Sequence, residues 1–79
     1  MIRLTIYSRP GCHLCDEMKH LVAHVVARRP HVAVDEIDIS TDASLERKYG
    51  EEIPVLFIDG RKAAKYRISE QELRRRLGG

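Results

Sequence analysis

The chain has 79 residues, of which 43% are hydrophobic and 33% charged, with a formal net charge of +2. That length fits one small domain, 1–79, burying only about 60–65% of its unfolded surface, which excludes a large ligand cavity or a separate substrate domain. The composition is that of a folded chain, while the small net charge and few aromatics (no Trp, one Phe, three Tyr) argue against a nucleic-acid partner.

Ile2, Leu4 and Ile6 alternate with Arg3, Thr5 and Tyr7, the period of a strand. Ser8-Arg9-Pro10-Gly11 breaks it. From Cys12 to about Arg28 the spacing becomes helical, with Leu14, Met18, Leu21 and Val25 on one stripe and Val22 and Val26 widening it, until Pro30 stops the helix. Val32 to Ile39 reads as a second strand whose phase slips between Val32/Val34 and Ile37/Ile39, which predicts a bulge near Asp35-Glu36. Ser40-Thr41-Asp42 offers N-caps to a short helix carrying Leu45 and Tyr49, with Gly50 as its stop.

Val55 to Ile58 is apolar at every position, as in a strand covered on both faces. Asp59-Gly60 signals a hairpin turn into a fourth strand over Lys62 to Arg67. Ser69 and Glu72 form a capping box, with Ile68 and Leu73 as its hydrophobic staple, and start a last helix that places Leu73 and Leu77 inward and ends at Gly78. The order βαβ-α-ββ-α predicts an α/β fold: a four-stranded mixed sheet with helices on both faces, its first crossover parallel and right-handed.

Chemistry concentrates in Cys12-His13-Leu14-Cys15, the only cysteines in the chain. A bridge between them closes too small a loop to constrain the unfolded chain much, so stapling is the weaker reading. Cys12 falls where a strand's loop meets a helix, and unpaired N–H groups there carry about half a positive charge that favours thiolate over thiol. Cys15, one turn further in, is expected to be more buried. This asymmetry suggests that Cys12 attacks a substrate disulfide and that Cys15 then attacks Cys12 to release the reduced substrate. Arg9, and His13 when protonated, would add positive charge beside the thiolate; Asp16 and Glu17 would oppose it.

Two other readings stay open. The pair would bind zinc or an iron–sulfur cluster only with further ligands, from histidines or another subunit, or the chain would be a protein-binding module with unreactive cysteines. His13, His20 and His24 share a helix face with Glu17, which reads as a solvated polar surface, although His20 and His24 have chelating spacing. The stretch after Gly60 is basic and includes Arg74-Arg75-Arg76, a solvated face or a dock for an acidic partner.

Tyr7-Ser8-Arg9-Pro10-Gly11-Cys12-His13-Leu14-Cys15 resembles the active-site segment of glutaredoxins and related thioredoxin-fold proteins. Ile53-Pro54, followed by an apolar strand and Asp59-Gly60, resembles their cis-proline strand and hairpin. The resemblance extends along nearly the whole chain and is strongest to short bacterial glutaredoxin-like proteins. It implies a thioredoxin-like fold and a thiol–disulfide oxidoreductase with Cys12 as nucleophile and Cys15 as resolving cysteine. It further implies that Arg9 stands where many glutaredoxins have a lysine near the thiolate, that Pro54 is the cis-proline packed beside the cysteines, and that the backbone of Ile53 pairs with bound peptide or glutathione.

The chain departs from the family pattern in having His13-Leu14 between the cysteines and no Gly-Gly after the hairpin, where Lys65-Tyr66-Arg67 stands instead. Glutathione binding is therefore left open. No bound cofactor is expected. Disulfide-containing proteins or small thiols are the expected substrates, with glutathione or a reductase as electron donor, and the protein is expected to be a monomer. No apolar run nears the ~18–20 residues that span a bilayer, and Met1 to Tyr7 has none of the marks of a secretory leader. A cytoplasmic location away from membranes, where thiols are kept reduced, is the expectation.

Overall fold

The computed structural model describes residues 1–78. Strands β1 (Ile2–Ser8), β2 (Val32–Asp38), β3 (Val55–Ile58) and β4 (Arg61–Lys65) form one sheet in the order β2-β1-β3-β4. β1 runs parallel to β2 and antiparallel to β3, and β3 runs antiparallel to β4. Helices α1 (His13–Val26), α2 (Ala43–Tyr49) and α3 (Glu70–Arg76) complete the fold, with a 3-10 turn at Ile39–Thr41.

Alternation in β1 decides which side each helix covers. Leu4 and Ile6 point to one face, where they are fully buried with Met18, Val22 and Val25 of α1, Leu56 of β3, and Leu73 and Leu77 beside them. Tyr7 points to the other face, where its ring stacks on Tyr49 of α2 at 4.6 Å between centroids and meets Phe57 edge-on at 5.4 Å. α1 and α3 thus share one face, and α2 closes the other through Tyr49.

The expected bulge at Asp35-Glu36 is absent: β1 and β2 pair without a break from Ile2↔Val32 to Ser8↔Asp38. Val32 and Val34 pack against the α1/α3 core, whereas Ile37 pairs with Tyr7 and so faces α2. Ile39, fully buried, lies past the strand in the 3-10 turn. Two apolar faces, not a change of register, produce the slipped phase, and the irregular register lies instead between Leu56 and Phe57 of β3 against β4.

β4 ends at Lys65, short of Arg67, because Tyr66 turns to φ 69°. Asp59 and Gly60, at φ 50° and 83°, make the hairpin turn the sequence signals. Gly50 ends α2 without a left-handed turn (φ −54°); a side chain there would put its Cβ 2.5 Å from the Glu46 carbonyl oxygen.

Half of the capping box forms. Ser69 Oγ accepts the Glu72 N–H at 3.1 Å, but the Glu72 carboxylate turns down the helix to Arg75 (2.6 Å) and Arg76 (2.9 Å). The hydrogen bonds from Arg75 and then Arg76 hold its carboxyl below the usual glutamate range. Since the native value lies below the unfolded one, Glu72 stabilises α3 above the ordinary glutamate range and loses that effect as pH falls through the depressed value. Glu72→Gln is expected to lower the thermal midpoint at neutral pH and to converge with the parent chain in acid. A difference that persists undiminished in acid would contradict the ion-pair account.

Candidate active site

Arg9-Pro10-Gly11-Cys12 delivers the first cysteine to the helix. The Cys12 N–H donates to the Arg9 carbonyl at 3.3 Å, and Gly11 stands at φ 80°. Proline second and a left-handed glycine third is the pattern of a type II turn, in which a side chain at the glycine position would be strained. The turn sets Cys12 in an extended conformation (φ −90°, ψ 111°) as the N-cap of α1.

Its sulfur does what a serine or aspartate oxygen does at other caps: Cys12 Sγ accepts the Cys15 N–H at 3.2 Å. The Cys12 carbonyl accepts the Asp16 N–H at 3.1 Å. Helix dipole and a directed N–H therefore converge on this sulfur. Cys12 and Cys15 are joined as a disulfide, their Cα atoms 5.2 Å apart. Cys15 is shut off from solvent (0% exposed) while Cys12 is partly open. One sulfur can be approached from outside and the other only through its partner.

Register brings the 53–54 segment to the same end of the sheet. Tyr7 pairs with Val55, which sets Pro54 level with Ser8, where the Cys12 loop departs. The Ile53–Pro54 peptide is cis, Pro54 is buried and Ile53 half-buried. Tyr66 straps this loop: its N–H donates to the Pro54 carbonyl and its hydroxyl to the Glu51 carbonyl, both at 2.8 Å. Nothing in the sequence marked Tyr66 for this. Its left-handed conformation is the signal, and only the structure shows it.

The Arg9 guanidinium is held by α2. Its Nε and Nη2 grip both carboxylate oxygens of Glu46 on α2 at 3.0 and 3.1 Å, with the Gly50 carbonyl 3.5 Å from Nη2. His13 is exposed and pairs with Glu17 one turn on, at 3.1 Å. His24 lies 3.9 Å from Glu70, so the histidine face is a solvated one with carboxylate neighbours. Among the described residues no cluster of three or more His, Cys, Asp or Glu is placed to hold a metal, and no helix is long and apolar enough to cross a membrane.

A four-stranded mixed sheet with a C-x-x-C pair at the start of the first helix defines a protein of the thioredoxin-like fold. Residues 3–78 match the family described as Glutaredoxin-like domain (DUF836), and the chain belongs to that glutaredoxin-like family. It is 30% identical to a protein of Dictyostelium discoideum named glutaredoxin-like protein YDR286C homolog, over 91% of this chain and 71% of that one. The structure of protein XcR50 from X. campestris is similar at 36% identity and a TM-score of 0.78, covering 94% of this chain and 93% of the other. Desulfothioredoxin from Desulfovibrio vulgaris Hildenborough, in its reduced form, shares the fold at 22% identity and a TM-score of 0.72, over 94% of this chain and 76% of its own.

Proposed function

We propose that the chain is a thiol–disulfide oxidoreductase that passes two electrons between its Cys12/Cys15 pair and a protein or low-molecular-weight disulfide. The observation that carries this reading is the unequal pair at a helix start: a partly open sulfur receiving an N–H, bonded to one with no solvent exposure.

In the reducing direction the Cys12 thiolate attacks one sulfur of the substrate disulfide, and the other leaves as a thiolate that takes up a proton. Cys15 loses its proton and attacks Cys12, breaking the mixed disulfide. The substrate departs as a dithiol and the protein is left as the disulfide. Two thiols of a donor, glutathione or a reductase, restore the dithiol. The N–H groups at the start of α1 stabilise the Cys12 thiolate both as attacking and as leaving group, lowering the barrier in both halves of the exchange. His13, beside Cys12, adds to this when protonated. The Ile53 backbone and the buried Pro54 would line the substrate's main chain up against the sulfurs. A cytoplasmic setting, where the glutathione pool is reduced, suits the reducing direction.

Cys15→Ser tests the division of labour. With the resolving sulfur gone, the reaction is expected to stall at the mixed disulfide, seen by mass spectrometry as a stoichiometric adduct on Cys12 that a small thiol releases. Full turnover without a trapped adduct would remove Cys15 from the mechanism.

A further inference from the structure

The charges around Cys12 decide more than its reactivity. A cation near the nucleophilic sulfur stabilises the thiolate of the reduced form, favours the dithiol over the disulfide, and makes the couple more oxidising. Arg9 is the obvious source, since its carbonyl caps the turn that carries Cys12. Its charge, however, is committed elsewhere.

Both arms of its fork close on one carboxylate, that of Glu46, which lies 37 residues along the chain and on another element. The Gly50 carbonyl, 3.5 Å from Arg9 Nη2, lies beside the fork. His13, next to Cys12 in the chain, pairs with Glu17, but with side chains 88% and 51% exposed that contact is water-screened and weak. Arg9 and Glu46 are half-buried, so theirs is the contact with leverage.

We propose that Glu46 sets the redox poise of the Cys12/Cys15 couple by cancelling the charge of Arg9, holding the couple toward its reducing end. Glu46 is a positioning residue in this role. It touches no reacting atom and acts by offsetting the Arg9 charge. The proposal deepens the oxidoreductase reading and rests on it: a couple poised this way gives electrons to substrate disulfides rather than taking them.

The experiment equilibrates the purified protein in glutathione redox buffers, where protein disulfide and two glutathione thiols exchange with protein dithiol and glutathione disulfide. The thiol titration of Cys12 is followed in parallel. For Glu46→Gln the equilibrium is expected to move about three- to tenfold toward the dithiol, the effect of one unmasked charge in a partly screened setting. That is about 15–30 mV less negative, and Cys12 should ionise at lower pH. Arg9→Gln should shift both readouts the opposite way, because it leaves the Glu46 charge uncompensated. The double substitution Arg9→Gln/Glu46→Gln removes both charges and should return both readouts to near those of the parent.

A Glu46→Gln equilibrium within twofold of the parent, or a double variant that stays as far from the parent as Glu46→Gln does, overturns the proposal. Should Glu46→Gln fail to fold, Arg9→Gln alone decides: a shift away from the dithiol supports the assignment and no shift refutes it. Neither readout requires turnover. Failure here is therefore distinct from failure of the proposed exchange reaction, which activity assays on the cysteine variants report.

Discussion

Cys12→Ser is expected to reduce turnover of a disulfide substrate by about a thousandfold or more, the scale seen when a covalent nucleophile is removed. Serine can keep the cap, because its hydroxyl oxygen can accept the Cys15 N–H that Cys12 Sγ accepts at 3.2 Å. The fold should survive and only the chemistry should be lost. The measurement is a steady-state rate with a protein or small-molecule disulfide, alongside circular dichroism to confirm folding. A folded variant that kept a tenth of the activity would leave Cys15, fully buried, as the attacking sulfur, and the division of roles would have to be abandoned.

The second large effect is expected in the core. Leu56 is fully buried on the α1/α3 face with Leu4, Ile6, Val22 and Leu73. Leu56→Ala removes methylene contacts and leaves a cavity that backbone on β3, paired on both sides, cannot close. The expected cost is about 3 kcal/mol, a large part of the total for a domain this small. At about 4–8 °C per kcal/mol this lowers Tm by about 12–24 °C. A calorimetric or denaturant measurement giving under about 1 kcal/mol would mean that the core collapses around the smaller side chain.

The features visible in the sequence are those set by local rules. The strict alternation of Ile2, Leu4 and Ile6 reflects one face buried under α1, and the Asp59-Gly60 turn follows from positive φ at both positions. Ser69 capped its helix because an N–H lay three residues on. Periodicity misleads in β2 because its environment is not one-sided: Ile37 sits opposite Tyr7 while Val34 packs under α1, and periodicity has no symbol for a strand covered differently along its length. The aromatic cluster of Tyr7, Tyr49 and Phe57 was out of reach, because its members come from three elements.

The site divides in the same way. A cysteine at a helix start can be read from Pro10-Gly11-Cys12 and the stripe that follows, because turn and cap are local. The destination of Arg9 cannot be, because an arginine reaches far and its partner Glu46 is one of many acidic residues in the chain. Glu72 shows the same limit at short range: caps compete with arginines for a carboxylate, and here Arg75 and Arg76 prevail.

The shielding of Cys15 also bears on how the pair would meet a peroxide. An oxidant meets Cys12 first, and a sulfenic acid formed there has the Cys15 sulfur within bonding reach. Condensation expels water and restores the disulfide, a state that donor thiols can reverse, before a second oxidation carries Cys12 to the irreversible sulfinic acid. In the proposed dithiol form the buried sulfur would thus double as an internal guard against terminal damage.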